Sequence, residues 1–209
     1  MKKWLPLILG ISLILSVISG CGKDKSTPEV PPKAGMEKVT TVGGTTFDLP
    51  ANVFMPEAIE KESEDGMKLE LQMFEIPKDD STFLLAMKLE PPFWLVPIFW
   101  FSDWNTDCVK DGFTDAYQKN FANAYLKEVG TGKQGISWGK SQVLDYNGHA
   151  VLKMQGEILT LKTRQKSIHE HYSWIVGSDV YVIIAYYDQK DKAKMQPIIT
   201  QVLNTIHFK

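Results

Sequence analysis

Beyond residue 38, apolar side chains recur along the chain with two periods. Leu69, Leu71 and Met73 alternate with polar neighbours over 68–75, and Phe83, Leu85, Met87 and Leu89 alternate over 83–90. Period two puts each set on one face of a strand, and the turn-forming residues 77–81 between them predict a hairpin. A shorter hairpin is expected from 39–42 and 45–49 around Gly43 and Gly44. A strand over 138–145 leads to Asn147-Gly148, the strongest short hairpin signal in the chain, and strands over 149–161, 165–176 and 180–187 follow. The last of these, Val-Tyr-Val-Ile-Ile-Ala-Tyr-Tyr, is apolar on both faces, which marks a central strand covered from both sides.

Period 3.6 appears twice. Val109, Phe113, Ala116, Tyr117, Phe121 and Ala124 form a stripe over 107–128, with Asp111, Asp115 and Lys119 opposite and Asp107 placed as N-cap. Met195, Ile198, Ile199, Val202, Leu203 and Ile206 form a second stripe. Pro197 is expected in the first turn of that helix, or as a kink if the helix begins near Asp191. Antiparallel strands around a doubly buried central strand imply helices on both faces. The predicted class is α+β, an α/β/α-layered sandwich.

The first 21 residues carry a different pattern. Lys2 and Lys3 precede an apolar run from Trp4 to Ile18. As a helix these fifteen residues span about 22 Å, short of the roughly 30 Å hydrocarbon core, so the run reads as the apolar region of a leader over 1–20. Ile18-Ser19-Gly20-Cys21 follows, and it resembles the lipobox of bacterial lipoproteins. That resemblance implies cleavage before Cys21, acylation of its thiol and often of its new amine, and membrane attachment through acyl chains on Cys21. Two or three such chains, at about 0.8 kcal/mol per buried methylene, hold a protein stably on a bilayer. Residues 22–38 contain three prolines and one isolated valine and read as a flexible tether from Cys21. A single globular domain over 39–209 is expected beyond it.

Composition narrows the function. The 209 residues hold 23 Lys and Arg against 25 Asp and Glu, so no basic excess marks a nucleic-acid binder. Loss of Lys2 and Lys3 with the leader leaves 21 basic against 25 acidic side chains, a net charge of −4, so the acyl groups and not basic residues would supply the anchor. Two cysteines build no disulfide framework, and no Cys/His spacing matches a structural zinc site. No nucleophile elbow, HExxH, phosphate loop or Cys-x-x-Cys is present; Gly130-Thr-Gly-Lys133 reads as the end of a helix and a turn.

The hairpin ending in Phe47-Asp48-Leu49-Pro50, the long helix, the three-stranded meander and the closing Thr205-Ile206-His207-Phe208 together resemble the Mog1/PsbP-like fold, in particular its bacterial lipoprotein members of the DcrB type. The resemblance covers roughly 38–209. It implies the layered α+β sandwich already inferred and a role in binding proteins or assembling complexes. It carries over no functional residue. Residues 91–104 depart from it as an aromatic-rich insertion.

That insertion holds Phe93, Trp94, Phe99, Trp100, Phe101 and Trp104 within twelve residues. It either completes the core over a sheet face or presents Trp94, Phe99, Trp100 and Trp104 as a binding surface for lipid headgroups or a partner. His169 and His171 flank Glu170 in a predicted strand, so the two imidazoles share a face with Ser167 and Ser173, and Glu170 takes the other. The pair reads first as a solvated strand face and second as a weak metal-chelating candidate without a third ligand. Cys108 sits near a helix N-terminus, where a thiol is activated, unless the aromatic segment covers it. The function expected is a non-catalytic protein-binding or assembly module, lipid-anchored outside the cytosol to the cell membrane or outer membrane, with no cofactor and an envelope protein as partner. The alternative is a carrier of a small hydrophobic ligand or a metal, using residues 92–104 or the His169/His171 face.

Overall fold

The computed structural model describes residues 32–62, 66–76, 82–90, 109–110, 112, 114–116, 118–119, 134–146, 148–160 and 165–208. Strands β1 (Met36–Thr40) and β2 (Thr46–Pro50) pair as a two-stranded antiparallel ribbon. The main sheet is built from β3 (Ile59–Glu62), β4 (Lys68–Glu75), β5 (Phe83–Glu90), β6 (Gln134–Trp138), β7 (Gln142–Tyr146), β8 (His149–Thr160), β9 (Gln165–Val176) and β10 (Asp179–Asp188). Its order is β3-β4-β5-β10-β9-β8-β6, with β7 also on β8, and every pairing is antiparallel.

The period-two alternation explains this sheet. In the β4–β5 hairpin, Leu69, Leu71 and Met73 face Leu89, Met87 and Leu85 across the ladder. Tyr146 pairs with His149, leaving the two-residue loop that Asn147-Gly148 predicts, with Gly148 at φ +80° and its N–H donating to Asp145 Oδ1 at 3.1 Å. The expected strand over 138–145 is in fact two strands. β6 ends at Trp138, the chain steps through 139–141, and β7 resumes on the same partner; the Gly139 N–H keeps the ladder alive by donating to the Gln155 carbonyl at 2.8 Å. β1 begins at Met36, earlier than the strand expected from Val39, and the compact unit starts at Pro32.

Strand β10 is central and buried on both faces, as its sequence requires. On one face Tyr181, Ile183, Ala185 and Tyr187 join Phe74, Leu84, Ile168, Tyr172 and Trp174 in the main core. The C-terminal helix, Lys192–Thr205, closes that face with Met195, Ile198, Ile199, Val202 and Leu203. Each such side chain stabilises the fold by about 1.5–3 kcal/mol on burial. On the other face Val180, Val182 and Ile184 pack with Leu85, Met87 and Leu89, while Leu152 and Met154 pack with Trp138 and Val143.

Because the C-terminal helix begins at Lys192, Pro197 lies in its second turn and not its first. The helix is tied to the small ribbon: the Asp48 N–H donates to Thr205 Oγ1 at 2.9 Å, Gln201 Nε2 donates to Asp48 Oδ2 at 3.1 Å, and Thr46 and His207 exchange backbone hydrogen bonds. Phe208 then covers Tyr181 and Trp174, with ring centroids 4.8 and 5.5 Å away.

The expected helical layer on the second face is not established. Among the described residues the C-terminal helix is the one continuous α-helix. The segment expected to be helical over 107–128 is described only at Val109–Lys110, Gly112, Thr114–Ala116 and Gln118–Lys119; these are helical except Gly112, a turn residue at φ +72° that interrupts the expected helix. Gln118 there donates its amide to Ser141 Oγ, next to the step between β6 and β7.

Candidate functional site

Strand β9 displays its chemistry on alternate faces, and the two faces differ in kind. His169 and His171 do share a face, with rings stacked at 6.4 Å and 14°. That face is not solvated: both side chains are 0% exposed. The ring of Trp138 meets His169 edge-on at 5.4 Å, and His171 Nε2 lies 2.6 Å from Ser173 Oγ. Burial pushes His169 down to about 4; burial and then the neighbouring His169 hold His171 well below the usual histidine range. Two neutral, buried imidazoles, one of them against the Trp138 ring, act as core polar groups. Among the described residues no group of three or more His, Cys, Asp or Glu side chains is placed to hold a metal ion.

Glu170 projects to the opposite face and is also buried, 1% exposed. Its carboxylate accepts from Tyr172 OH at 3.2 Å and from Gln196 Nε2 at 3.2 and 3.1 Å, and Lys153 Nζ stands 3.8 Å away. The Gln196 amide also reaches Tyr187 OH at 3.1 Å. Burial, reinforced by the Glu170 charge, raises the phenols of Tyr146 and Tyr172 above the ordinary tyrosine range and pushes Tyr187 up to about 12. These phenols therefore stay protonated at neutral pH and are not bases or nucleophiles. The cluster is a satisfied buried network. Lys153 also lines a cleft of about 450 Å³ at the β6–β7 step, together with Trp138, Lys140, Gln142 and Gln155.

The exposed chemistry lies at the other edge of the sheet. All four residues of β3 are exposed, and among the described residues β3 has β4 as its single partner strand. Beside it is an open groove of about 500 Å³ lined by Glu60, Lys61, Glu62, Lys68, Leu69, Glu70 and Glu90. The register places Glu60 opposite Glu70 and Glu62 opposite Lys68, on one face. Lys88 closes the back of this region, with Nζ 2.5 Å from Glu90, 3.3 Å from Asp179 and 4.0 Å from Glu70. Burial opposes its charge, but hydrogen bonds to Glu90 and Asp179 outweigh that and raise Lys88 above its ordinary value; the same contact lowers Glu90. The Gly43 N–H donates to Glu70 Oε2 at 2.8 Å and holds the β1–β2 turn over Lys88. Phe54 and Met55, just before β3, and Ile59, its first residue, are 62%, 47% and 50% exposed.

Of the residues singled out from sequence, Cys21, Trp94, Phe99, Trp100, Trp104 and Cys108 lie outside the described residues. His169 and His171 are brought together as expected, but inside the protein. The Glu170 network and the β3 edge were not expected. The signal for β3 is faint, because Ile-Glu-Lys-Glu is a single apolar position in four.

No protein-family model matches the chain, and no curated protein matches it. Among solved structures, the solution structure of cyanobacterial PsbP (CyanoP) from Synechocystis sp. PCC 6803 superposes with a TM-score of 0.56 at 11% identity, covering 94% of this chain and 99% of that one. The fold is PsbP-like. The crystal structure of PA94 from Pseudomonas aeruginosa, a protein of unknown function, gives a TM-score of 0.43 at 11% identity over 83% of this chain and 97% of that one, and adds nothing to the assignment. At such identities the PsbP-like fold transfers architecture and no activity. Among the described residues no helix is long and apolar enough to cross a membrane.

Proposed function

We propose that this chain is a lipid-anchored module of the cell envelope, held on a membrane by acyl chains on Cys21, which binds a protein partner without catalysing a reaction. The observation that carries the binding role is the open β3 edge beside the acidic groove. An unpaired edge offers backbone N–H and C=O groups to an incoming strand, and the exposed Glu60 and Glu62 carboxylates favour basic side chains on it. The strongest titratable groups elsewhere support the same reading by being closed: His169, His171 and Glu170 are buried and have partners within the fold. The lipobox residues Ile18-Ser19-Gly20-Cys21 support the address.

The test is a photo-cross-linking side chain at Lys61, on the full chain in its native membrane. A discrete protein adduct is expected, and Glu60→Lys with Glu62→Lys should abolish it while circular dichroism stays unchanged. An adduct indifferent to charge reversal, or none, removes the edge as the binding surface. Mass measurement of the same preparation reads the acylation of Cys21 separately.

A further inference from the structure

We infer that Phe54, Met55 and Ile59 form a lipid-contacting tip that seats the domain on the bilayer holding the acyl chains; the inference rests on the lipoprotein reading of Cys21. These three are the large apolar side chains left exposed among the described residues, and all fall within one stretch of six. Their exposure is built in. Phe54 and Glu75 exchange backbone hydrogen bonds at 3.1 and 2.9 Å, and the Gln72 amide donates to the Pro56 carbonyl, so the segment is pinned with its apolar side chains outward. A pinned apolar tip loses little conformational freedom on insertion.

The place of the tip in the chain identifies its occupant. The tether enters the domain at Gly35, whose carbonyl accepts from the Ala51 N–H at 3.1 Å, and Met36 pairs with Pro50. Phe54 is four residues beyond Pro50, so its Cα lies no more than about 15 Å from that point. Cys21 is fourteen residues before Gly35, so the chain between them can span no more than roughly 50 Å. The end of the domain carrying the tip is therefore kept close to any membrane that holds Cys21, at high effective concentration. Charge then selects the lipid. Glu57 stands within the stretch and Lys61 shares the face of Ile59, so their charges offset and a zwitterionic surface suits the tip.

The test uses the full acylated chain carrying Cys108→Ser, with an environment-sensitive fluorophore on Asn52→Cys, reconstituted in phosphatidylcholine vesicles containing spin-labelled lipid. The reference is the same label on Ser178→Cys, at the far end of the strands, roughly 25 Å from the level of Phe54. Expected is at least twofold stronger quenching at 52 than at 178, lost when Phe54, Met55 and Ile59 are all replaced by serine. Equal quenching at the two sites on acylated chain overturns the tip and leaves the anchor standing. A chain found by intact mass to be unacylated overturns both. A label shielded from iodide in native membranes but not quenched by lipid means that a protein covers the patch, which also overturns the inference.

Discussion

Lowering the pH from 7 to 5 sets the burial of His169 against its tendency to take up a proton. In the unfolded chain the imidazole titrates near 6.5; in the fold burial holds it at about 4. A base depressed by folding contributes stability that is whole above its unfolded value and is lost as pH falls toward its folded one. By pH 5 the unfolded state holds nearly one proton that the native state refuses, a loss of about 2 kcal/mol from this residue relative to pH 7. His171, lowered by burial and by His169, adds a loss of the same sign. Two kcal/mol is a large share of an ordinary domain's 5–15 kcal/mol. The assay is urea unfolding followed by circular dichroism at several pH values, on the wild type and on His169→Leu. Leucine keeps an apolar side chain beside Trp138 and removes the proton site. The wild type should lose about 2 kcal/mol more than the variant over this interval. Parallel loss in the two proteins would refute the argument. The window is separate from that of Glu90, whose lowered carboxyl gives stability that is whole above the ordinary glutamate range and is lost only as pH falls below it.

Gly43→Ala places a Cβ at φ +60°, 2.5 Å from Lys88 Cδ, which Glu90 and Asp179 hold in place; a destabilisation of roughly 1–3 kcal/mol is expected in the same urea assay, and unchanged stability would show that the turn is slack. Glu170→Leu strands Lys153, Tyr172 and Gln196 without their buried acceptor and should cost roughly 3–5 kcal/mol, whereas Glu170→Gln should cost clearly less. In Glu170→Gln, Tyr187 should ionise below its native value of about 12, read from the tyrosinate absorbance; an unmoved titration would mean that burial alone sets it. Leu203→Ala opens a cavity between the C-terminal helix and the sheet and should cost roughly 2–5 kcal/mol, with a smaller loss indicating that the helix collapses onto the gap.

What could be read locally was written in short periods. The β4–β5 hairpin, the β8–β9–β10 meander and the Asn147-Gly148 turn follow from alternation and turn chemistry, which act over a few residues and need no distant partner. The doubly buried β10 follows too, because eight consecutive apolar positions leave no face for water. Even the split of His169 and His171 from Glu170 was legible, since strand geometry alone divides them. Their surroundings were not. Whether a strand face is wet depends on what packs over it, and the ring that meets His169 belongs to Trp138, thirty-one residues away. Glu170 draws its partners from positions 153, 172, 187 and 196, which strand pairing and a helix bring together. The step at Gly139 and the short β3 carry too few apolar positions to show a period, and only pairing to a neighbour makes them strands. Sequence by itself determined the strongly periodic elements and their alternating faces. Tertiary structure decided which polar groups were sealed and which edge stayed open, because burial is a property of the neighbours a residue acquires and not of the residue.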